Sequence, residues 1–326
     1  MSIVLAEILK GKRSVAISGH IRPDGDCVGS SMGLYLYLKD NFPDIEADVY
    51  LEPIADCYKI IRRTEEIRHE AKAGIVYDLF ICLDCGDQAR LGFSAPLFEQ
   101  ARQTVCIDHH VSNDAFADLN HIVPDASSTS ELIYRLLESE KIGKACAEAL
   151  YMGMAHDTGV FQYSCTAPET MEAAADLMRK GIKADEIIEK SYFEKSYVQN
   201  QILGKALLES MMILDRRAIV SYVSQKDLRF FEAVPSDLEG IVSQLRQTTG
   251  VEVAIFLYEM ELHTYKVSLR SKGCVDVSKI AKYFGGGGHV RAAGVTMKGT
   301  VHDVINNICG QIALQLDGPD TGMTGC

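Results

Sequence analysis

Three short apolar runs constrain this chain more than anything else in it: SVAISGH (14–20), DLFICLDCGD (78–87) and TVCIDHH (104–110). Each is rich in Val, Ile, Leu or Phe, and each ends in acidic residues or histidine. A fourth run, ADVYLE (47–52), lies between the first two. Apolar runs of this length, bounded by polar residues, read as strands covered on both faces, the condition of a parallel sheet. After the first comes CVGSSMGLYLYLKD (27–40), in which Val28, Met32, Tyr35 and Leu36 recur at helical spacing. Strand, helix, strand alternation predicts an α/β fold with a doubly wound, mainly parallel sheet. Ligands of such sheets bind outside the carboxyl ends of the strands. The residues that close the three runs are therefore expected at one edge.

Those residues have the chemistry of metal ligands. GHIRPDGDCVGS supplies His20, Asp24 and Asp26, LDCGD supplies Asp84, and DHH supplies Asp108, His109 and His110. A fourth segment, GMAHDTGVFQYS, adds His156 and Asp157 at the end of a helical pattern. Imidazole mixed with carboxylate suits Mn²⁺, Fe²⁺ or Zn²⁺ better than Ca²⁺ or Mg²⁺. If Asp24, Asp26, Asp84 and Asp157 bind together with neutral His20 and His109, four negative charges meet two divalent cations and the sum is zero. Without metal the same cluster repels a phosphate, so activity is expected to depend strictly on metal. Asp-Gly-Asp alone is an ordinary turn. Ligands at the ends of three separate strands are much harder to obtain by chance. Cys82 and Cys85 have the spacing of a zinc or redox pair, but no second pair accompanies them, and they read as structural.

A chain of 326 residues exceeds the usual size of one domain. Residues 127–190 have helical patterns, and a different rhythm begins near Arg216: RAIVSYVS, VEVAIFLYEME and HTYKVSLRS are strand-like, SDLEGIVSQLRQTTG and DVSKIAKYF helix-like. We expect a metal-binding domain over 1–190, a helical linker over 191–206, a smaller α/β domain over 207–318 and a Gly/Pro-rich tail over 319–326. In that second part, FGGGGHVRAAG (284–294) carries four glycines followed by His289. Glycine permits positive φ and a close approach of backbone N–H groups to an anion. Upstream, Arg270 can clamp a phosphate with two parallel hydrogen bonds, with Lys272 and Arg291 as auxiliaries. A net charge of −12 and a pI near 5.2 exclude a basic track for long duplex DNA and favour short or mononucleotide ligands. No apolar run approaches the roughly 18 residues of a membrane span, the first residues lack the layout of a signal peptide, and the ten cysteines read as free thiols. The location expected is the cytoplasm.

In order along the chain, HIRPDGDCVGS, LDCGD, DHHVSN, AHDTGVF and FGGGGHVRAAG resemble the motifs of the DHH phosphoesterase superfamily and its DHH-associated C-terminal domain. The resemblance covers nearly the whole chain. It implies that His20, Asp24 and Asp84 hold one Mn²⁺ and that Asp26, Asp84, His109 and Asp157 hold a second, with Asp84 bridging. It implies that His110 faces the substrate phosphate, that Asp108 orients a histidine, and that a hydroxide shared by the metals attacks phosphorus. Arg270 with Gly286, Gly287, Gly288 and His289 would read the far end of the substrate, which places the active site in the cleft between the domains. Length and the GGGGH form look most like the NrnA-type bifunctional oligoribonucleases, which also remove the 3′-phosphate of 3′-phosphoadenosine 5′-phosphate. Substrates would then be short RNA oligonucleotides or nucleotide 3′-phosphates, with neither duplex DNA nor membrane as partner and a homodimer compatible with the pattern. The alternatives are a phosphodiesterase of linear or cyclic dinucleotides and, from another class, a non-catalytic nucleotide sensor. One departure is His156, where a hydroxyl residue is more usual before the aspartate. It is expected to support a ligand or to alter metal preference, while Cys27 and Cys85 flank presumed ligands and expose the site to oxidation.

Overall fold

A computed structural model describes residues 4–72 and 74–316. The tail expected over 319–326 lies outside the described residues. The chain divides into two compact units, Met1–Glu194 and Lys195–Cys326.

The first unit is built on five strands, β1 (Ser14–Ser18), β2 (Glu46–Tyr50), β3 (Leu79–Leu83), β4 (Thr104–Asp108) and β5 (Leu119–Ile122), in the order β2-β1-β3-β4-β5. Every pairing is parallel, as the strand–helix alternation predicts. Its helices are α1 (Leu5–Leu9), α2 (Gly25–Asn41), α3 (Ala95–Gln100), α4 (Thr129–Leu136), α5 (Lys144–Asp157), α6 (Pro168–Arg179) and α7 (Ala184–Ile188). The lack of alternation in the strands has a direct cause. Val15, Ile17, Leu79, Ile81, Leu83, Val105 and Ile107 face one core with residues of α2, α4 and α5. Their neighbours Ala16, Phe80, Cys82 and Cys106 face another with Leu97 and Phe98 of α3. Strand pleating sends successive side chains to opposite faces, and both faces are covered. Cys82 and Cys85 belong to the second core as free thiols, together with Cys106. Cys274, half-buried in the turn after the SLRS strand of the second unit, departs from the expectation of free thiols, because it is disulfide-bonded.

The second unit contains β6 (Met211–Ile213), β7 (Ala218–Val223), β8 (Val253–Glu261), β9 (Thr264–Ser271), β10 (Gly287–His289) and β11 (Ala292–Lys298), in the order β10-β11-β9-β8-β7-β6. Only β7 and β8 pair in parallel. Helices α8 (Tyr197–Leu208), α9 (Gln225–Phe231), α10 (Ile241–Arg246), α11 (Val277–Tyr283) and α12 (Val301–Leu316) flank the sheet. Tyr265, Val267 and Leu269 of β9 face a core with α11 and α12. The opposite face carries Ala254 and Phe256 against α8 and α10. The segment read as a linker thus holds most of α8, whose Ile202 and Ala206 are buried in that core. No helix among the described residues is long and apolar enough to cross a membrane.

Candidate metal centre

At the carboxyl edge of the first sheet the strand ends come together. Asp84 directly follows β3 and takes a left-handed backbone conformation, φ 54°. Asp tolerates this region better than most residues, and there it turns a 2% exposed carboxylate back towards the sheet edge. Its two oxygens face different imidazoles: Oδ2 lies 3.5 Å from His20 Nε2, and Oδ1 lies 3.6 Å from His109 Nε2. His20 Nε2 is also 3.6 Å from Asp24 Oδ2, and His109 Nε2 is 3.1 Å from Asp157 Oδ2. Asp26, Asp157 and His109 offer donor atoms within 4.8 Å of one another, as do His20, Cys27 and Asp84. The structure therefore gathers His20, Asp24, Asp26, Asp84, His109 and Asp157, the six residues expected as ligands.

Each is aimed by its own element. Asp24 caps α2, its Oδ1 accepting from the N–H groups of Asp26 and Cys27 at 3.2 and 3.1 Å, which leaves Oδ2 for His20. The ring Nδ1 of His20 donates to the Ile21 carbonyl at 2.8 Å, and that of His109 to the Ala126 carbonyl at 3.4 Å. A carbonyl only accepts, so Nδ1 carries a proton in both rings and Nε2 is the atom turned to the carboxylates, where a cation can replace its proton. Asp157 ends α5. Asp108, fully buried, accepts from His110 Nδ1 at 2.7 Å, the His109 N–H at 2.8 Å and Asn113 Nδ2 at 2.7 Å. His110, with Nδ1 engaged, keeps Nε2 for another partner.

Electrostatics describe the same arrangement. Burial opposes a charge on His20, but hydrogen bonds and charge from Asp24 and Asp84 outweigh it and raise the ring to about 10. His109 rises to about 10 in the same way, chiefly through Asp157 and Asp26 against burial. Burial lifts Asp157 to about 6 and pushes Asp26 upward. A pocket that draws protons onto two imidazoles and strains to keep its carboxylates charged is a pocket for cations. The donor set, imidazole nitrogen with carboxylate oxygen, fits a divalent transition metal.

Sequence reasoning missed the first turn of α4. There the N–H groups of Thr129 and Ser130 bind Asp26 Oδ2 and Oδ1 at 2.6 and 2.9 Å, and the Thr129 hydroxyl lies 3.3 Å from Asp84 Oδ1. The segment SSTSE was legible as a helix start, but a backbone N–H has no signature in a sequence. His156 is absent from the donor clusters of the described residues. Its ring packs on Gly25, where an added Cβ would lie 2.1 Å from its Cγ, and edge-on between Tyr58 and Tyr192, each at 5.2 Å. Burial lowers it to about 4, so it sits there neutral and supports the turn between Asp24 and Asp26.

The remaining expected residues lie in the second unit. Across the sheet, His289 of β10 is paired with Ala292 of β11, and Ala292 with Arg270 of β9. Directly opposed residues share a face, so Arg270 and His289 stand on one side of the sheet with only an alanine between them. Arg270 also lines a cavity of about 470 Å³ with Lys266, Ser268 and Tyr258. Gly288 has φ 140°, and a Cβ there would lie 2.5 Å from the Ala292 carbonyl oxygen. A Cβ at Gly286 would lie 2.3 Å from the Gly294 carbonyl oxygen, while one at Gly287 would find open space. Lys272 and Arg291 donate to the backbone carbonyls of Thr248 and Val275.

Fold and site define a two-unit α/β protein with a carboxylate–imidazole cation centre at the edge of a parallel sheet. The chain belongs to the DHH family of phosphoesterases: the DHH family N-terminal domain matches residues 14–154 and the DHHA1 domain residues 215–313. It is 29% identical over 304 residues to the bifunctional oligoribonuclease and PAP phosphatase NrnA of Thermus thermophilus, covering 91% of this chain and 88% of that one. It is 27% identical to the cyclic-di-AMP phosphodiesterase PdeA of Listeria monocytogenes, over 91% of this chain but 47% of that protein. The crystal structure of an exopolyphosphatase-related protein from Bacteroides fragilis superposes with a TM-score of 0.88 at 27% identity, covering 94% of both chains.

Proposed function

We propose that this protein hydrolyses short oligoribonucleotides to mononucleotides and 3′-phosphoadenosine 5′-phosphate to AMP, using two divalent cations, Mn²⁺ by preference. The observation that carries the reading is Asp84, whose two oxygens each face a different imidazole. One carboxylate shared in this way suits a cation pair, His20, Asp24 and Asp84 holding one and Asp26, Asp84, His109 and Asp157 the other. Bound there, such ions supply Lewis-acid stabilisation of a phosphoryl oxygen. His110, oriented by Asp108, offers Nε2 to a phosphate oxygen as a hydrogen-bond donor. The hydrogen bond to Asp108 favours the protonated ring, raising His110 from its ordinary value. Arg270 and His289 on their common sheet face, with Gly286, Gly287 and Gly288, bind the far phosphate, and Lys272 and Arg291 hold the surrounding backbone. The acidic chain grips a short substrate at its ends, and the free buried thiols suit the cytoplasm.

A dinucleotide, 3′-phosphoadenosine 5′-phosphate and a cyclic dinucleotide, each assayed with Mn²⁺ and with chelator, test the reading. Metal-dependent turnover of the first two is expected. Similarity to a cyclic-di-AMP phosphodiesterase over 91% of the chain favours a second reading, which preferential cleavage of the cyclic substrate would select. Protein that binds these ligands with Mn²⁺ and cleaves none is not an enzyme of this kind.

A further inference from the structure

Immediately beyond Asp157 the backbone does something costly. Gly159, Val160 and Phe161 have φ of 56°, 58° and 62° in succession, a left-handed run that β-branched and bulky residues avoid. Thr158 holds it: its Oγ1 accepts from the Phe161 N–H at 2.9 Å, and its carbonyl accepts from Gln162 and Tyr163 at 2.9 Å each. Strain of this kind persists where surrounding structure enforces it, and it gathers at functional sites. Here its product is the placement of Tyr163. That ring lies over Gly159, where an added Cβ would come within 2.4 Å of it, yet it remains 47% exposed.

A second unusual segment meets it. Glu189–Phe193 is one turn of π-helix, a rare form that is frequent at functional sites. It presents Tyr192, which neighbours Tyr163, and Phe193, 50% exposed. The Tyr192 ring meets His156 at 5.2 Å and Phe193 at 5.3 Å, both edge-on. Tyr163, Tyr192 and Phe193 thus form an aromatic cluster joined through His156 and the 158–163 turn to Asp157 of the cation centre. The turn is tied back at its far end, where Cys165 Sγ lies 3.8 Å from the Asp157 carbonyl.

We propose that Tyr163, with Tyr192 and Phe193 beside it, is a stacking platform for the nucleobase attached to the phosphate held at the cation centre. The inference rests on the phosphoesterase reading and adds to it the part of the substrate that this unit grips besides phosphate. Tyr163 and Phe193 leave half of their rings in solvent, and the segments that carry them are joined to Asp157 of the cation centre. A chain of net charge −12 cannot hold a short nucleotide by a basic track, and a π-face is an uncharged grip that accepts any base.

The test compares AMP with ribose 5-phosphate, the same phosphate without a base, by calorimetric binding to the full chain loaded with Mn²⁺. AMP is expected to bind about 5- to 150-fold more tightly, the range for one stacked base. Tyr163→Ala should reduce AMP to the level of ribose 5-phosphate while ribose 5-phosphate and Mn²⁺ binding stay unchanged, and Tyr163→Phe should keep the preference. Phe193→Ala should lower it in part. Equal binding of the two ligands to the wild type overturns the platform, as does an equal loss of both in Tyr163→Ala. A concentration-dependent dimer abolished by Phe193→Ala, with AMP binding intact, overturns it by seating a second copy on these rings. Failure of dinucleotide turnover in the wild type would count against the phosphoesterase reading, while the AMP comparison still decides the platform.

Discussion

Thr129 touches both Asp84 and Asp26. Its N–H pins Asp26, and its hydroxyl reaches Asp84. Thr129→Val keeps the N–H and the volume but removes the hydroxyl. The expected result is a loss of about 10- to 100-fold in metal affinity or turnover, the usual weight of a group that orients a ligand, with recovery in Thr129→Ser. Unchanged Mn²⁺ binding in Thr129→Val would remove the hydroxyl from the account. Proton linkage gives a second prediction at this scale. His20 and His109 stand near 10 in the absence of metal, so a cation must displace their protons, and Asp157 at about 6 adds a third below that pH. Apparent metal affinity should therefore rise with pH, most steeply below about 6, and equilibrium dialysis from pH 5 to 9 measures it. A flat profile would mean that these groups are not displaced. The donors were legible because their side chains carry the chemistry and close apolar runs. Thr129, Ser130 and Asn113 were not, since amide and hydroxyl donors are common and only the fold selects which of them face the cluster.

Helix packing sets how closely those donors approach. Gly29 of α2 faces α5, where an added Cβ would lie 2.7 Å from the Ala149 carbonyl oxygen and from backbone atoms of Gly153. A Cβ added at Gly153 would in turn lie 1.9 Å from Ser130 Oγ and 2.9 Å from Asp26 Oδ1. A Cβ added at Gly33 would have the side chain of Leu150 as its nearest neighbour, at 2.4 Å. Overpacking costs about 1–3 kcal/mol where neighbours can adjust and more where they cannot. Urea unfolding should thus rank Gly29→Ala below Gly33→Ala in stability, because backbone yields less than a leucine side chain. Gly153→Ala should also weaken Mn²⁺ binding, since its Cβ displaces the ligand Asp26 and the α4 turn that holds it. Equal metal affinity in all three variants would show that the α2–α5 crossing does not control the centre. The buried strands of the first unit were easy to read because both faces are covered. The edge strand β5 was missed because LNHI mixes polar and apolar residues and is half-buried at most. β10 was hidden by its glycines, which weaken any strand signal and pair here only because β11 holds them in register.

At the scale of the molecule, each unit has apolar cores of its own. The core clusters containing β1 to β5 draw on residues of Met1–Glu194, and those containing β6 to β11 draw on residues of Lys195–Cys326. A domain that owns a core can fold without the rest of its chain. All six gathered donors, with Thr129 that contacts two of them and Asn113 that holds Asp108, lie in the first unit. Arg270, His289 and the glycine run lie in the second. Expressed alone, residues 1–194 should therefore fold cooperatively and bind Mn²⁺ with the stoichiometry and affinity of the full chain. They should lose turnover of a dinucleotide, because the residues assigned to its far phosphate are absent. Calorimetric titration of both proteins with Mn²⁺, beside an assay on the dinucleotide, checks the two halves of the prediction separately. Fewer ions bound by a folded 1–194 fragment would mean that the second unit supplies a ligand, contrary to the donor set described above. Full turnover by the fragment would instead remove Arg270 and His289 from substrate binding and leave the first unit to grip the nucleotide by itself.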